Sequence, residues 1–124
     1  MKLLLDTHAA LWWMSGDDRF GATAERLITS PDTRVLLSAV VVWEVTIKRA
    51  LGKLEAPDEY AELLLRGGAT GLPISLVHAA GVGALPSHHA DPFDRLLIAQ
   101  AVAEHATIVS RDEAFGAYDV AVAW

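Results

Sequence analysis

The sequence predicts an α/β fold, a central parallel sheet of four to five short strands covered by helices. Three observations lead there. Short apolar runs alternate with segments of helical period, the pattern of a parallel sheet buried on both faces. At 124 residues, 52% of them hydrophobic, the chain is long enough for one core without disulfide or metal staples. No internal repeat, low-complexity tract or long linker interrupts the alternation, so residues 1–124 read as a single domain.

Taken in order, Leu3-Leu4-Leu5 reads as a short, wholly buried strand, and Val35-Leu36-Leu37-Ser38 as a second. Between them, Ala24, Leu27 and Ile28 form a brief helical stripe. Trp43, Ile47, Ala50, Leu51 and Leu54 share one helix face, so a helix with Trp43 turned to the core is expected. Tyr60, Leu63 and Leu64 repeat the pattern on a shorter scale. Gly67-Gly68 and Gly71 make a turn, since no lysine-threonine pair follows to complete a phosphate loop. Leu72-Pro73-Ile74 is a weaker strand candidate, its proline suiting only an edge or a first position. A helix opens at Asp91-Pro92, with Asp91 as N-cap, Pro92 at the first position and Asp94 at the third. It runs to His105, with Phe93, Leu97 and Ala101 spaced by four. Thr107-Ile108-Val109-Ser110 is another strand, and Asp119 to Val122 a last, edge strand.

The mean hydropathy of +0.30 excludes a disordered chain. No apolar run approaches the roughly 20 residues of a membrane helix. The absence of cysteine rules out disulfides and thiolate zinc sites and suits a cytoplasmic protein. A net charge of −6 runs against a nucleic-acid partner bound through a basic surface. That objection weakens if several carboxylates are metal ligands, because bound cations offset them locally.

Four acids occupy positions that such a sheet would bring together. Ligands in open α/β sheets bind beyond the carboxyl ends of the strands. Asp6 directly follows the first strand, and Asp112 follows Ser110 by two residues. Each also suits an ordinary helix N-cap. Asp94 opens an apolar helix, where the dipole favours an acid but the surroundings are crowded. Arg95 either pairs with Asp91, four residues earlier, or meets a substrate phosphate. Glu44 stands among Val40, Val41, Val42, Trp43 and Val45, costly to bury unless paired. Lys48, one turn on, offers a solvated ion pair, and a cation offers the alternative. Several carboxylates on one rim repel unless protonated or metal-bound. Mg²⁺ or Mn²⁺ prefers such all-oxygen ligation, and its chemistry suits phosphodiester hydrolysis.

The segments Leu3-Leu4-Leu5-Asp6-Thr7-His8-Ala9-Ala10-Leu11-Trp12, Ser38 through Glu44, Asp91-Pro92-Phe93-Asp94-Arg95 through Ala101, and Ile108-Val109-Ser110-Arg111-Asp112 resemble a PIN domain. Within that family they are most similar to VapC-type toxins of bacterial toxin–antitoxin systems. The resemblance implies a PIN-like α/β/α sandwich and a Mg²⁺- or Mn²⁺-dependent endoribonuclease cutting RNA, often tRNA or ribosomal RNA. Asp6, Glu44 and Asp94 match the core acids and Asp112 the more variable fourth. Thr7 and Ser110 match small hydroxyl positions that steady the site, and Asp91 stays a helix cap. The resemblance also implies a homodimer inhibited by a VapB-like antitoxin, for which an antitoxin arginine or lysine reaching the acids would be a simple device.

The five histidines, His8, His78, His88, His89 and His105, read as structural or solvated. His8, beside Asp6, is the exception as an RNA contact, with Lys48 and Arg111. Arg49, Lys53 and Arg95 would extend a phosphate track. Adjacent Trp12 and Trp13 cannot point the same way on a helix, so one is expected at the surface, where aromatics mark interaction sites. Two other readings compete. A haloacid-dehalogenase-like phosphatase also uses an aspartate after its first strand but wants a second two residues on, where this chain has His8. A non-catalytic PIN-like binding module would keep the fold without the cutting, against which the intact acids count.

Overall fold

A computed structural model describes residues 1–124. Five parallel strands, β1 (Lys2–Leu5), β2 (Arg34–Ser38), β3 (Thr70–Leu72), β4 (Thr107–Val109) and β5 (Val122–Ala123), form one sheet in the order β3-β2-β1-β4-β5. Six helices accompany them: α1 (Thr7–Ser15), α2 (Ala22–Ile28), α3 (Ala39–Ala50), α4 (Tyr60–Arg66), α5 (Leu76–Gly81) and α6 (Pro92–Glu104). The α/β class and the parallel sheet are as the alternation predicts.

The central strand is the most apolar. Leu3, Leu4 and Leu5 have no exposed surface, and they join Leu36, Ile98, Ile108 and Phe115 in one core. The chain steps from β1 to β2 to β3 in one direction, then crosses back to β4. Right-handed crossovers therefore place α5 and α6 on the opposite face from α1 to α4, and α1 packs on α4 while α5 packs on α6. The reversal lies between β1 and β4, the switch point at which such sheets open a crevice.

Helix starts follow their caps. Asp6, Ser38, Ser75 and Asp91 each accept a backbone N–H in the first turn of α1, α3, α5 and α6. Helix α1 ends at Gly16, whose φ of 66° is the left-handed conformation that glycine adopts without penalty. Gly21 is required for a different reason. A Cβ there would lie 2.4 Å from the backbone carbon of Trp124, whose ring packs against Phe20 and Trp12.

Three expectations need correction. The face of α3 that meets the core is Val40, Val41, Glu44 and Val45, and the helix stops at Ala50. Trp43 is half exposed, its ring set edge-on to Phe93 at 4.9 Å, and Leu51 is exposed. The run Val40 to Trp43 is apolar throughout, so two stripes are available; compact β-branched side chains take the sheet and the broad indole takes the edge. Strand β3 ends at Leu72, before Pro73, whose ring nitrogen has no proton for a ladder. Strand β5 is Val122–Ala123 and so begins at the end of the expected Asp119–Val122 segment, with Ile108 donating to the Ala121 carbonyl and Ser110 to that of Ala123. Helix α5 carries no apolar signal, because Leu76 and Val77 face solvent while His78 is buried.

Candidate metal centre

The crevice between β1 and β4 is closed by a chain of short hydrogen bonds. The Asp6 N–H continues the ladder onto the Val109 carbonyl. Its side chain caps α1 through Oδ1, 2.8 Å from the Ala9 nitrogen, and accepts the Ser110 hydroxyl on Oδ2 at 2.5 Å. The cap and the site are therefore the same carboxylate. Ser110 Oγ in turn accepts the Asp112 N–H at 3.0 Å, and Asp112 Oδ1 caps a 3₁₀ turn over Glu113–Ala117 by accepting from Ala114. The other Asp112 oxygen faces the crevice from a half-exposed side chain.

Glu44 enters from α3 and is buried. Thr7 Oγ1 donates to its Oε1 at 2.6 Å, and Lys48 Nζ lies 2.5 Å from its Oε2. The Glu44–Lys48 pair thus forms, but around a buried acid. Hydrogen bonding to Glu44 raises the Lys48 pKa, and the charges of Asp91 and Asp94 raise it further.

Asp94 enters from the first turn of α6. Asp91 Oδ1 receives the backbone N–H groups of Phe93 (2.8 Å) and Asp94 (3.3 Å), the cap expected of it. Burial drives the Asp94 carboxyl up to about 7, with the neighbouring charges of Asp91, Glu44 and Asp6 adding and His89 opposing. Asp6 is also raised, mainly by burial, against its hydrogen bonds from Ser110 and Ala9. The mutual repulsion places Asp6, Glu44 and Asp94 in one electrostatic neighbourhood.

One grouping is tighter than the acids alone predict. Ligand atoms of His89, Asp94 and Asp112 all lie within 4.8 Å of one another, with His89 Nε2 at 3.0 Å from Asp94 Oδ2 and 4.0 Å from Asp112 Oδ2. Sequence reasoning misses His89 because nothing in its spacing separates it from His88. The available signal is its place two residues before the α6 cap. His88 instead sets its ring at 5.3 Å from Tyr118. His78 is buried and completes a capping box with Ser75, a structural role. His8 is exposed and tilts against Trp12 at 5.5 Å, and its charge lowers the Asp6 pKa.

The basic residues divide. The Arg95 guanidinium donates to the carbonyls of Pro86, Val82 and Leu85 and makes no ion pair with Asp91. Arg49 pairs with Asp58. Arg111 is exposed, 5.9 Å from the Trp12 ring, and Lys53 is also exposed. Trp12 and Trp13 both keep partial exposure on different neighbours: Trp12 meets Trp124, and Trp13 lies beside Gly67.

The donor set fits a hard divalent cation. Asp94 and Asp112 bring carboxylate oxygens within 4.8 Å of each other beside His89. Asp6 and Glu44, engaged by Ala9, Ser110, Thr7 and Lys48, stand outside that group and reach Asp94 through their charges. All four offer the oxygens such a cation prefers.

The PIN domain family matches the chain over residues 3–121. No curated protein matches it. Among solved structures, VapBC2 from Rickettsia felis, bound to a promoter DNA fragment, superposes with a TM-score of 0.74 at 18% identity over 100% of this chain and 99% of that one. VapBC-1 from nontypeable Haemophilus influenzae gives 0.67 at 18% identity, over 99% and 97%. VapC20 of Mycobacterium tuberculosis, a sarcin-ricin loop cleaving toxin, gives 0.66 at 21% identity, over 93% of each chain. At these identities the likeness is one of fold.

Proposed function

The chain belongs to the PIN domain family, and from that premise we propose that it is a Mg²⁺- or Mn²⁺-dependent endoribonuclease, the toxin of a toxin–antitoxin pair. The observation that carries the reading is that, in a chain matched by the PIN family over residues 3–121, the Asp94 and Asp112 carboxylates converge beside His89 within 4.8 Å, with Asp6 and Glu44 close enough to raise the Asp94 carboxyl further. Such a cluster is poorly stable empty and well matched to a dication.

Asp6, Glu44, Asp94 and Asp112 would hold the ion. Bound there, it would supply positive charge to the scissile phosphate and lower the pKa of the attacking water. The chain's own residues set the stage for it. Ser110 orients Asp6, Thr7 orients Glu44, and the Asp91 cap fixes the turn that carries Asp94. Lys48 balances the Glu44 charge and, with a cation on Glu44, would be free to meet phosphate. Arg111 and His8, exposed on the same rim, are the other RNA contacts. Arg95 supports the loop before α6 instead.

VapBC complexes among the structural neighbours support a VapB-like antitoxin as partner, and the sarcin-ricin loop specificity of VapC20 supports a structured RNA of the tRNA or ribosomal class. A homodimer and a cytoplasmic location belong to the same reading; no helix is long and apolar enough to cross a membrane. Position 8, where a haloacid-dehalogenase-type phosphatase needs its second aspartate, carries an exposed histidine tilted against Trp12.

The test is direct. The chain, purified free of antitoxin, is incubated with total RNA with and without Mg²⁺, beside Asp6→Asn. Cleavage that disappears in chelator and in the variant is expected. RNA left intact with Mg²⁺ and with Mn²⁺ would refute the nuclease.

A further inference from the structure

We propose that His89 acts as a hydrogen-bond donor to a non-bridging oxygen of the scissile phosphate and is not a ligand of the metal. The inference rests on the nuclease reading above. It turns on which ring nitrogen is free. His89 Nδ1 lies 3.2 Å from the backbone nitrogen of Asp91. A backbone N–H can only donate, so Nδ1 accepts and carries no proton. The ring proton is then on Nε2, the atom 3.0 Å from Asp94 Oδ2 and 4.0 Å from Asp112 Oδ2. A protonated ring nitrogen has no lone pair for a cation. The trio that looks like a three-ligand site is two carboxylates and one donor.

Asp91 therefore acts twice. Its carboxylate caps α6, and its N–H sets the His89 ring. A dication on the Asp94 carboxylate would draw its charge away and make it a weaker acceptor for Nε2–H. The anion next to it is then the phosphate that the cation attracts. Negative charge grows on the non-bridging oxygens as water adds to phosphorus, so a donor held in place by backbone binds the transition state more tightly than the ground state. His89 is half-buried, and no rearrangement of the chain is needed to present the proton.

Three measurements test this on the whole chain. Nitrogen-15 NMR of the histidine rings reads the tautomer with Mg²⁺ bound, before and after a phosphorothioate dinucleotide is added. Calorimetry compares Mn²⁺ binding in wild type, His89→Ala and His89→Gln. Single-turnover RNA cleavage compares their rates. The His89 Nε2–H is expected to persist with Mg²⁺ and to shift with the dinucleotide. Mn²⁺ should bind His89→Ala no more weakly than wild type, while its rate falls on the order of 10²-fold and His89→Gln recovers part of it. Loss of the Nε2 proton on adding Mg²⁺, or Mn²⁺ affinity weakened about tenfold or more in His89→Ala, would make His89 a ligand and overturn the proposal. Where wild type cleaves, an unchanged rate in His89→Ala would overturn it too. A wild type inert toward RNA would sink the nuclease reading alone, since the dinucleotide shift, present or absent, still decides the donor.

Discussion

Thr7 Oγ1 donates to Glu44 Oε1 across 2.6 Å, so the residue beside one acid of the rim holds another. Thr7 is the first residue of α1 and Glu44 sits in α3, both buried. Thr7→Val keeps the shape and removes the donor. Glu44 keeps Lys48 but loses its only other bond. Stability should fall by about 1–2 kcal/mol in denaturant titration. Cleavage should fall at fixed Mg²⁺ and recover partly as Mg²⁺ is raised, because a loosened Glu44 binds the ion less well. Activity indifferent to Mg²⁺ concentration would count against Glu44 as a ligand.

Asp94 sets the pH response. Its folded pKa of about 7 lies above the ordinary 3.8. Below 3.8 both folded and unfolded chains hold the proton, and no penalty arises. Between there and about 7 the unfolded chain releases it while the folded chain keeps it, so stability falls as pH rises. The raised carboxyl of Asp6 acts in the same direction. Metal-free protein should therefore melt lower at about pH 8 than at about pH 5, and Asp94→Asn should flatten that slope. Mn²⁺ competes with the Asp94 proton, so its affinity should weaken as pH falls below about 7. A metal affinity independent of pH in this range would remove Asp94 from the ligand set.

Legibility in the sequence follows how locally each feature is determined. Asp6 and Asp112 are readable because backbone geometry alone puts a residue after a buried strand on the rim. The Asp91-Pro92 opening of α6 is readable from capping chemistry. Glu44 is marked by its valine neighbours, which make a lone carboxylate improbable without a partner. His89 is not, since its ring is turned by a backbone N–H two residues away and by a loop path no periodicity encodes. Trp43 is misplaced by its pattern because Val40 to Trp43 offers two apolar stripes, and only packing on the sheet chooses between them. Helix α5 escapes because its buried residue is a histidine and its exposed ones are Leu76 and Val77.

Arg95 separates a structural cation from an RNA contact. Its guanidinium gathers the carbonyls of Val82, Leu85 and Pro86 ahead of the His88-His89 segment. Arg95→Ala should lower stability by about 1–3 kcal/mol. RNA binding should keep the salt dependence of wild type, because no phosphate contact is lost. Arg111→Ala should do the reverse, leaving the melting temperature alone and reducing the salt slope. A reduced slope in Arg95→Ala would return that residue to the phosphate track.

Gln100 joins α6 to the start of α3 and to α5, and its amide is oriented without ambiguity. Oε1 accepts the Ser38 hydroxyl, while Nε2 donates to the Pro73 carbonyl and to His78 Nδ1. His78 Nδ1 already accepts the Ser75 N–H, so it cannot donate in return. Gln100 is fully buried, which makes each of these bonds costly to lose. Gln100→Leu strands the Ser38 hydroxyl and should cost about 1–3 kcal/mol. Gln100→Glu preserves the shape and the Ser38 bond but sets a carboxylate oxygen against two acceptors. It should therefore be the more damaging of the two at neutral pH, although it is the closer in volume. Its deficit should shrink as pH falls, since the introduced carboxyl, once protonated, regains a donor for Pro73 or His78. Denaturation of both variants near neutral pH and at about pH 5 makes the comparison. A Gln100→Glu protein as stable as Gln100→Leu near neutral pH would mean that the amide points the other way.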